Sequence, residues 1–180
     1  MSESISSNGL SVLITGASRG IGRAIALRLA REGYCVVAHG SKPSAALDET
    51  LRLIGEAGGS ARTLTFDVCD RKAAGEILSA DVAAHGAYYG IVVNAGITRD
   101  GTFAAMPEED WDSVIHTDLT GFYNVVQPMV MPMVRRRKPG RVVVISSVSG
   151  VVGNRGQVNY SAAKAGLIGA AKALATELAS

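Results

Sequence analysis

Tyr160 and Lys164 stand four residues apart, and Ser147 lies thirteen residues before the tyrosine. On a helix, a spacing of four places both side chains on one face. An ammonium held beside a phenol favours the phenolate and lowers a pKa that is about 10 in an isolated tyrosine. A phenol tuned in this way can serve as a general acid or base near neutral pH. A plain amphipathic helix would carry the same two residues, so the pair gains meaning only beside a reactant.

A place for one stands near the N-terminus. Ser11–Ile14 is a short apolar run of strand type, followed by Thr15-Gly16-Ala17-Ser18-Arg19-Gly20-Ile21-Gly22. Ile21, Ile25 and Leu29 then recur at helical spacing. A strand, a glycine-rich turn and a helix together form a phosphate cradle. The glycines admit the pyrophosphate close to the backbone, and the helix N-terminus offers unpaired N–H groups and partial positive charge. The glycine spacing is G-x-x-x-G-x-G rather than the general G-x-G-x-x-G fingerprint. Taken alone, the segment also fits an ordinary strand-to-helix turn.

The elements that must position these groups alternate along the chain. Strands are predicted over 10–15, 34–39, 61–66, 89–93 and 141–146, and helices over 20–32, 43–57, 70–85, 108–135 and 157–179. Val142-Val143-Val144-Ile145 is apolar without alternation, as in a parallel sheet covered on both faces. The expected fold is therefore α/β, a doubly wound parallel Rossmann-type sheet of five strands with right-handed crossovers. Ligands in such sheets bind beyond the carboxyl ends of the strands. Gly16, Asp67, Asn94 and Ser147 all fall just past predicted strand ends.

Apolar residues make up 47% of the 180-residue chain and charged residues 19%, with a net charge of +2. Neither disorder nor a general nucleic-acid surface is indicated. Residues 1–9 are polar, lack the pattern of a signal peptide and are expected to be flexible; residues 10–180 are expected to form one domain. No run approaches the roughly eighteen apolar residues that a membrane span needs, and a cytoplasmic location is expected. Cys35 and Cys69 show no metal or disulfide spacing and read as reduced packing residues.

Charge also bears on cofactor choice. A carboxylate at the end of the second strand would bond the ribose 2′-hydroxyl of NAD. The chain instead reads Val37-Ala38-His39-Gly40-Ser41-Lys42. Arg19, with Ser41 or Lys42, is suited to a 2′-phosphate, so NADPH is favoured over NADH. Arg135-Arg136-Arg137-Lys138, with Arg141 nearby, is the strongest charge run and reads as a solvated helix end or as a surface steering an acidic partner.

In this order, the Thr15–Gly22 segment, Asn94-Ala95-Gly96, Ser147 and Tyr160-x-x-x-Lys164 resemble the short-chain dehydrogenase/reductase family over nearly the whole chain. Gly153 to Tyr160 and Ala162 to Leu167 are most similar to its 3-oxoacyl-[acyl-carrier-protein] reductases. The stretch from His116 to Met133 looks more like variants found with aryl-polyene biosynthesis. The resemblance implies that Tyr160 donates a proton to a substrate carbonyl. Lys164 would lower the phenol's pKa and hold the nicotinamide ribose, and Ser147 would hold the carbonyl oxygen. Gly16, Ser18, Arg19, Gly20, Ile21 and Gly22 would bind the cofactor's phosphates. Asp67 and Val68 would meet the adenine, and Asn94, Ala95 and Gly96 would line its ribose.

The family's fourth catalytic residue is an Asn in the long helix; the matching residue here is Asp118, read either as part of the site or as a surface or helix-packing residue. An Asp is nearly isosteric but brings a negative charge and lacks the amide donors. The family also continues with further strands, a loop holding the nicotinamide and a substrate-covering helix. By that measure the chain is expected to be truncated at its C-terminus and to leave the fifth strand as an apolar, unpaired edge. The implied activity is NADPH-dependent reduction of 3-oxoacyl thioesters on acyl-carrier protein. The alternatives are a non-catalytic nucleotide-binding or dimerising module, or an alcohol dehydrogenase with another carbonyl substrate. A homodimer or homotetramer through helices 108–135 and 157–179 is implied; no nucleic acid, membrane or metal is expected.

Overall fold

Five strands rich in β-branched residues lie side by side in the computed structural model, which describes residues 9–179. Of the flexible segment expected over 1–9, all but Gly9 lies outside the described residues. The strands are β1 (Ser11–Ile14), β2 (Cys35–Gly40), β3 (Ser60–Thr65), β4 (Gly90–Val93) and β5 (Arg141–Val144). All pairings are parallel and the order is β3-β2-β1-β4-β5. The order reverses between β1 and β4, and such a switch opens a crevice beyond the strand ends. The doubly wound sheet expected from the alternation is thus present.

Between the strands run α1 (Gly20–Arg31), α2 (Ala45–Glu56) and α3 (Arg71–His85). Ser44 and Asp70 cap α2 and α3 by accepting the N–H groups of Leu47 and Ala73. Gly33 and Gly86, each at φ 84°, follow α1 and α3 and turn the chain out of the helix. The predicted helix 108–135 is realised as α4 (Glu108–Val114), a π-helical segment Ile115–Thr120, and α5 (Gly121–Arg135). A short α6 (Ser149–Val152), which periodicity over four residues does not reveal, precedes α7 (Val158–Glu177). The predicted fifth strand loses its last two residues, because β4 ends at Val93 and its ladder with β5 closes at Val144.

Alternate residues of the sheet supply two cores. Leu13, Val37, Ile91 and Val93 face α3 and α5 through Leu78, Val125 and Met129. Val12, Ile14, Val36 and Ala38 face α1 and α2 through Ala26, Leu47 and Ile54. Among the described residues β5 pairs only with β4, and Val143 stays 47% exposed, so the run at 142–144 forms the expected apolar edge and is not covered on both faces as its pattern suggests. No helix among the described residues is long and apolar enough to cross a membrane. Cys35 is half-buried beside Arg62, but Cys69 is exposed, with its sulfur 3.5 Å from the Thr117 hydroxyl. The packing role expected of Cys69 is therefore corrected: it sits in the open turn after β3.

One ionic network lies within the first core layer. Arg62 on β3 grips Asp81 on α3 through the Nε and Nη2 edge of its guanidinium, at 2.8 and 2.6 Å. The buried Tyr88 hydroxyl donates to the same carboxylate at 2.8 Å, and the His85 ring lies 3.1 Å from it. Arg136, the second residue of the basic run, donates to the Tyr88 carbonyl. It is thus part of the fold, while Arg135, Arg137, Lys138 and Arg141 are exposed.

Candidate active site

The glycine-rich turn leaves β1 through Thr15, whose hydroxyl accepts the N–H groups of Asn94 and Ala95, both at 2.9 Å. The Asn94 amide returns hydrogen bonds to the carbonyls of Thr15 and Gly16. Asn94 thus stitches the β1 and β4 exits together, as a brace of the central sheet should. Thr50 donates to the Ala17 carbonyl and Arg23 to that of Ser18. With these carbonyls held back, nothing acidic lies in the first turn of α1 and no side chain caps it. Its N–H groups therefore face the crevice unshared, as an anion cradle requires.

Two glycines in this region act in different ways. A Cβ at Gly22 would stand 2.2 Å from the Gly16 oxygen, so α1 could not approach the turn. Gly20 has φ 57° and open space where a side chain would project, which leaves the backbone accessible to a ligand.

The crevice encloses about 770 Å³. Its lining brings together Gly16, Ser18, Arg19, Gly20, Ile21 and Gly22 from the turn and Asp67 and Val68 from the β3 exit. Asn94, Ala95 and Gly96 from the β4 exit, and Tyr160 and Lys164 from α7, complete the set expected from the sequence. Asp67 is exposed and accepts the Cys69 N–H with one oxygen, whereas Val68 is buried. Ser41 lines the crevice beside Arg19; Lys42 does not.

Ser147 is not part of the lining. Its hydroxyl oxygen accepts the Ser149 N–H at 3.2 Å and so caps the turn into α6. That bond uses a lone pair and leaves the hydroxyl proton to be given elsewhere. The neighbouring Ser146 does line the crevice, but its hydroxyl is committed to the Lys164 carbonyl at 2.9 Å.

Lys164 is 3% exposed. Its ammonium donates to the Ile145 carbonyl at 3.1 Å, lies 3.1 Å from Asp118 Oδ2 and sits 5.4 Å from the centre of the Tyr160 ring. Asp118 is fully buried in the π-helical segment, and its Oδ1 accepts the Ile97 N–H at 2.8 Å. Of the two readings of Asp118, the structure places it against Lys164. The ionic contact is close but poorly aligned, since Oδ2 has no directed hydrogen-bond partner. Burial pushes the carboxyl pKa up, and the opposing pull of Lys164 and the Ile97 N–H does not cancel it. The close approach depends on Gly96, where a Cβ would stand 2.6 Å from Oδ2 and 3.1 Å from the ammonium.

Loops on both sides of the rim are joined. The Gln157 amide donates to Asp100 and accepts from Ser149 and Asn154, and Asn159 donates to the carbonyls of Arg99 and Asp110. His39, at the end of β2, also lines the crevice. A single histidine in an apolar strand carries no spacing signal, so the sequence does not mark it as part of the site.

The donor set fits a dinucleotide: an uncapped helix start for phosphates, a crevice lined from several strand exits, and a phenol and an ammonium on the same lining. Comparison with known proteins agrees. The family model described as short chain dehydrogenase matches residues 11–180. A 3-oxoacyl-[acyl-carrier-protein] reductase FabG of Aggregatibacter actinomycetemcomitans is 60% identical over 168 residues, covering 93% of this chain and 69% of that protein. The protein of the same name from Staphylococcus aureus is 44% identical over 172 residues, 94% of this chain and 69% of its own length. That from Thermotoga maritima is 43% identical over 167 residues, covering 93% and 67%.

Proposed function

The chain belongs to the short-chain dehydrogenases, a family of oxidoreductases, and on that premise we propose that it reduces 3-oxoacyl thioesters carried on acyl-carrier protein, with NADPH as reductant. The observation that carries the reading is the phenol of Tyr160 near the buried Lys164 ammonium, on the lining of the same crevice as the phosphate cradle. The dinucleotide, when bound, supplies the hydride. Reduction of the keto carbon leaves negative charge on its oxygen, and Tyr160 gives that oxygen its proton. The Ser147 hydroxyl, oriented by the Ser149 N–H, donates a hydrogen bond to the same oxygen and stabilises the developing charge. Lys164 holds positive charge near the phenol and offers a donor to the ribose.

Selection of NADPH is supported by Arg19 and Ser41 on the lining and by the absence of a carboxylate at the end of β2. Asp67 and Val68 would contact the adenine, and Asn94, Ala95 and Gly96 its ribose. The exposed basic residues after α5 would attract an acidic carrier protein. Exposed Tyr123 and Met131 on α5 favour self-association through α5 and α7 into a dimer or tetramer. One observation favours a second reading, a nucleotide-binding module without turnover: Asp118 draws the Lys164 ammonium toward itself.

The test is NADPH oxidation with an acetoacetyl thioester. Turnover that falls by about a hundredfold or more in Tyr160→Phe, with NADPH affinity nearly unchanged, is the expected outcome. Tight NADPH binding without oxidation selects the module. Undiminished activity in the variant removes Tyr160 from the mechanism.

A further inference from the structure

His39 is the buried titratable group of the crevice that the proposed mechanism does not use; it is 1% exposed. Its ring lies 4.1 Å from that of Phe66, at the β3 exit. Nδ1 faces the Gly16 N–H at 3.3 Å, and Nε2 lies 2.8 Å from the Phe66 carbonyl oxygen. These partners determine the tautomer. A nitrogen facing an N–H must offer a lone pair, and one facing a carbonyl must carry the proton. Only the neutral ring protonated at Nε2 satisfies both. The imidazolium would point an N–H at an N–H and leave Gly16 without an acceptor.

The surroundings agree with the neutral form. Burial lowers the imidazole pKa to about 4, against weaker opposition from the Phe66 carbonyl and from Asp67, the charged group acting on it. The backbone oxygen of His39 meanwhile accepts the Ala17 N–H at 2.8 Å. One residue therefore takes up two successive N–H groups of the glycine-rich turn, one through its side chain and one through its main chain. Gly16 stands at φ 67° between these contacts, and the start of α1 has no side-chain cap to take its donors.

We infer that His39 is a positioning residue for dinucleotide binding: as the neutral Nε2–H tautomer it draws the Gly16 N–H away from the crevice and sets the height of the phosphate cradle. The inference rests on the reading of the crevice as a dinucleotide site. Two near-isosteres separate the ring's two contacts. In His39→Asn the amide oxygen occupies the position of Nδ1, keeping an acceptor for Gly16 and losing the bond to Phe66. In His39→Gln the amide nitrogen occupies the position of Nε2, keeping the bond to Phe66 and leaving Gly16 unpaired.

The experiment is calorimetric titration of the chain and both variants with NADPH, alongside nitrogen NMR of the unmodified imidazole. NADPH affinity is expected to fall by roughly tenfold or more in His39→Gln and to stay within about threefold in His39→Asn, the scale of one buried donor left unpaired. Nδ1 is expected to be the unprotonated nitrogen. Equal affinities in the two variants overturn the inference, as does a protonated Nδ1, which can be read even if a variant does not fold. If the unmodified chain binds no NADPH, the dinucleotide reading itself fails; if it binds and the variants do not differ, only the role of His39 fails.

Discussion

Asp81 and Asp118 are both buried aspartates facing a cation, yet their environments push them in opposite directions. Asp81 lies between α3 and the sheet, where a guanidinium fork and a phenol hydroxyl satisfy both carboxylate oxygens. Burial alone would raise its pKa, but the Arg62 and Tyr88 hydrogen bonds and the Arg62 charge outweigh that and hold it below the usual carboxylate range. Asp118 lies under the crevice, with one backbone N–H and a misaligned ammonium, and its pKa is raised. A planar fork matches a carboxylate at two points, whereas an ammonium acts as a point charge. A saturated pair stabilises a fold. An unsaturated one keeps charge and proton capacity close to a ligand, at a cost in stability.

Breaking the saturated pair has the largest expected effect. Asp81→Ala leaves Arg62 and Tyr88 facing an empty site and is expected to cost about 3 kcal/mol or more in urea denaturation. Gly96→Ala drives a methyl group against Asp118 and Lys164; about 2 kcal/mol of stability is expected to be lost, with NADPH oxidation falling in parallel. Asp118→Asn removes a carboxylate whose ionisation is disfavoured and leaves Lys164 bonded to Ile145. A stability change within about 1 kcal/mol is expected, together with a faster reduction rate, because Lys164 is no longer held by an anion. A small control on the helix that carries Asp81 is Gly75→Ala. No atom lies within 4 Å of the added Cβ, and a gain of about 0.5 kcal/mol in thermal unfolding is expected.

The pH dependence sharpens the contrast. Asp81 has a depressed folded pKa, so its contribution is present above the unfolded value of about 3.9 and is lost as pH falls through the folded value. Asp118 has a raised folded pKa, so the folded state holds its proton more tightly and stability declines as pH rises from about 3.9 through the folded value. In urea midpoints measured across the acidic range, Asp81→Asn is expected to flatten the loss on acidification. Asp118→Asn is expected to remove the opposing gain. Parallel curves for the two variants would erase the distinction between the pairs.

Much of this architecture was legible in the chain. Apolar runs and helical spacing announced the alternating strands and helices, because each signal acts over a few residues, although the run at Val142–Val144 proved to lie on an edge strand that is not buried. The glycine-rich turn and the Tyr160–Lys164 spacing were legible for the same reason. The break at 115–120 was not, since π-helical hydrogen bonding has no short sequence signature. The distance of Ser147 from Tyr160 is legible in the chain, but its hydrogen bond with the Ser149 N–H follows from how α6 turns. The exposure of Cys69 has no signal in the chain, because the turn after β3 decides it.

Local pattern therefore determined the elements, their order and the residues available at the strand ends. Which buried groups meet was decided by tertiary structure alone. Lys164 turns to Asp118, His39 reaches Gly16, and Arg62 reaches Asp81 because separate elements are packed against one another. Protonation depends on burial and on the partners at hydrogen-bond distance, and neither exists until the sheet and its helices have closed around them.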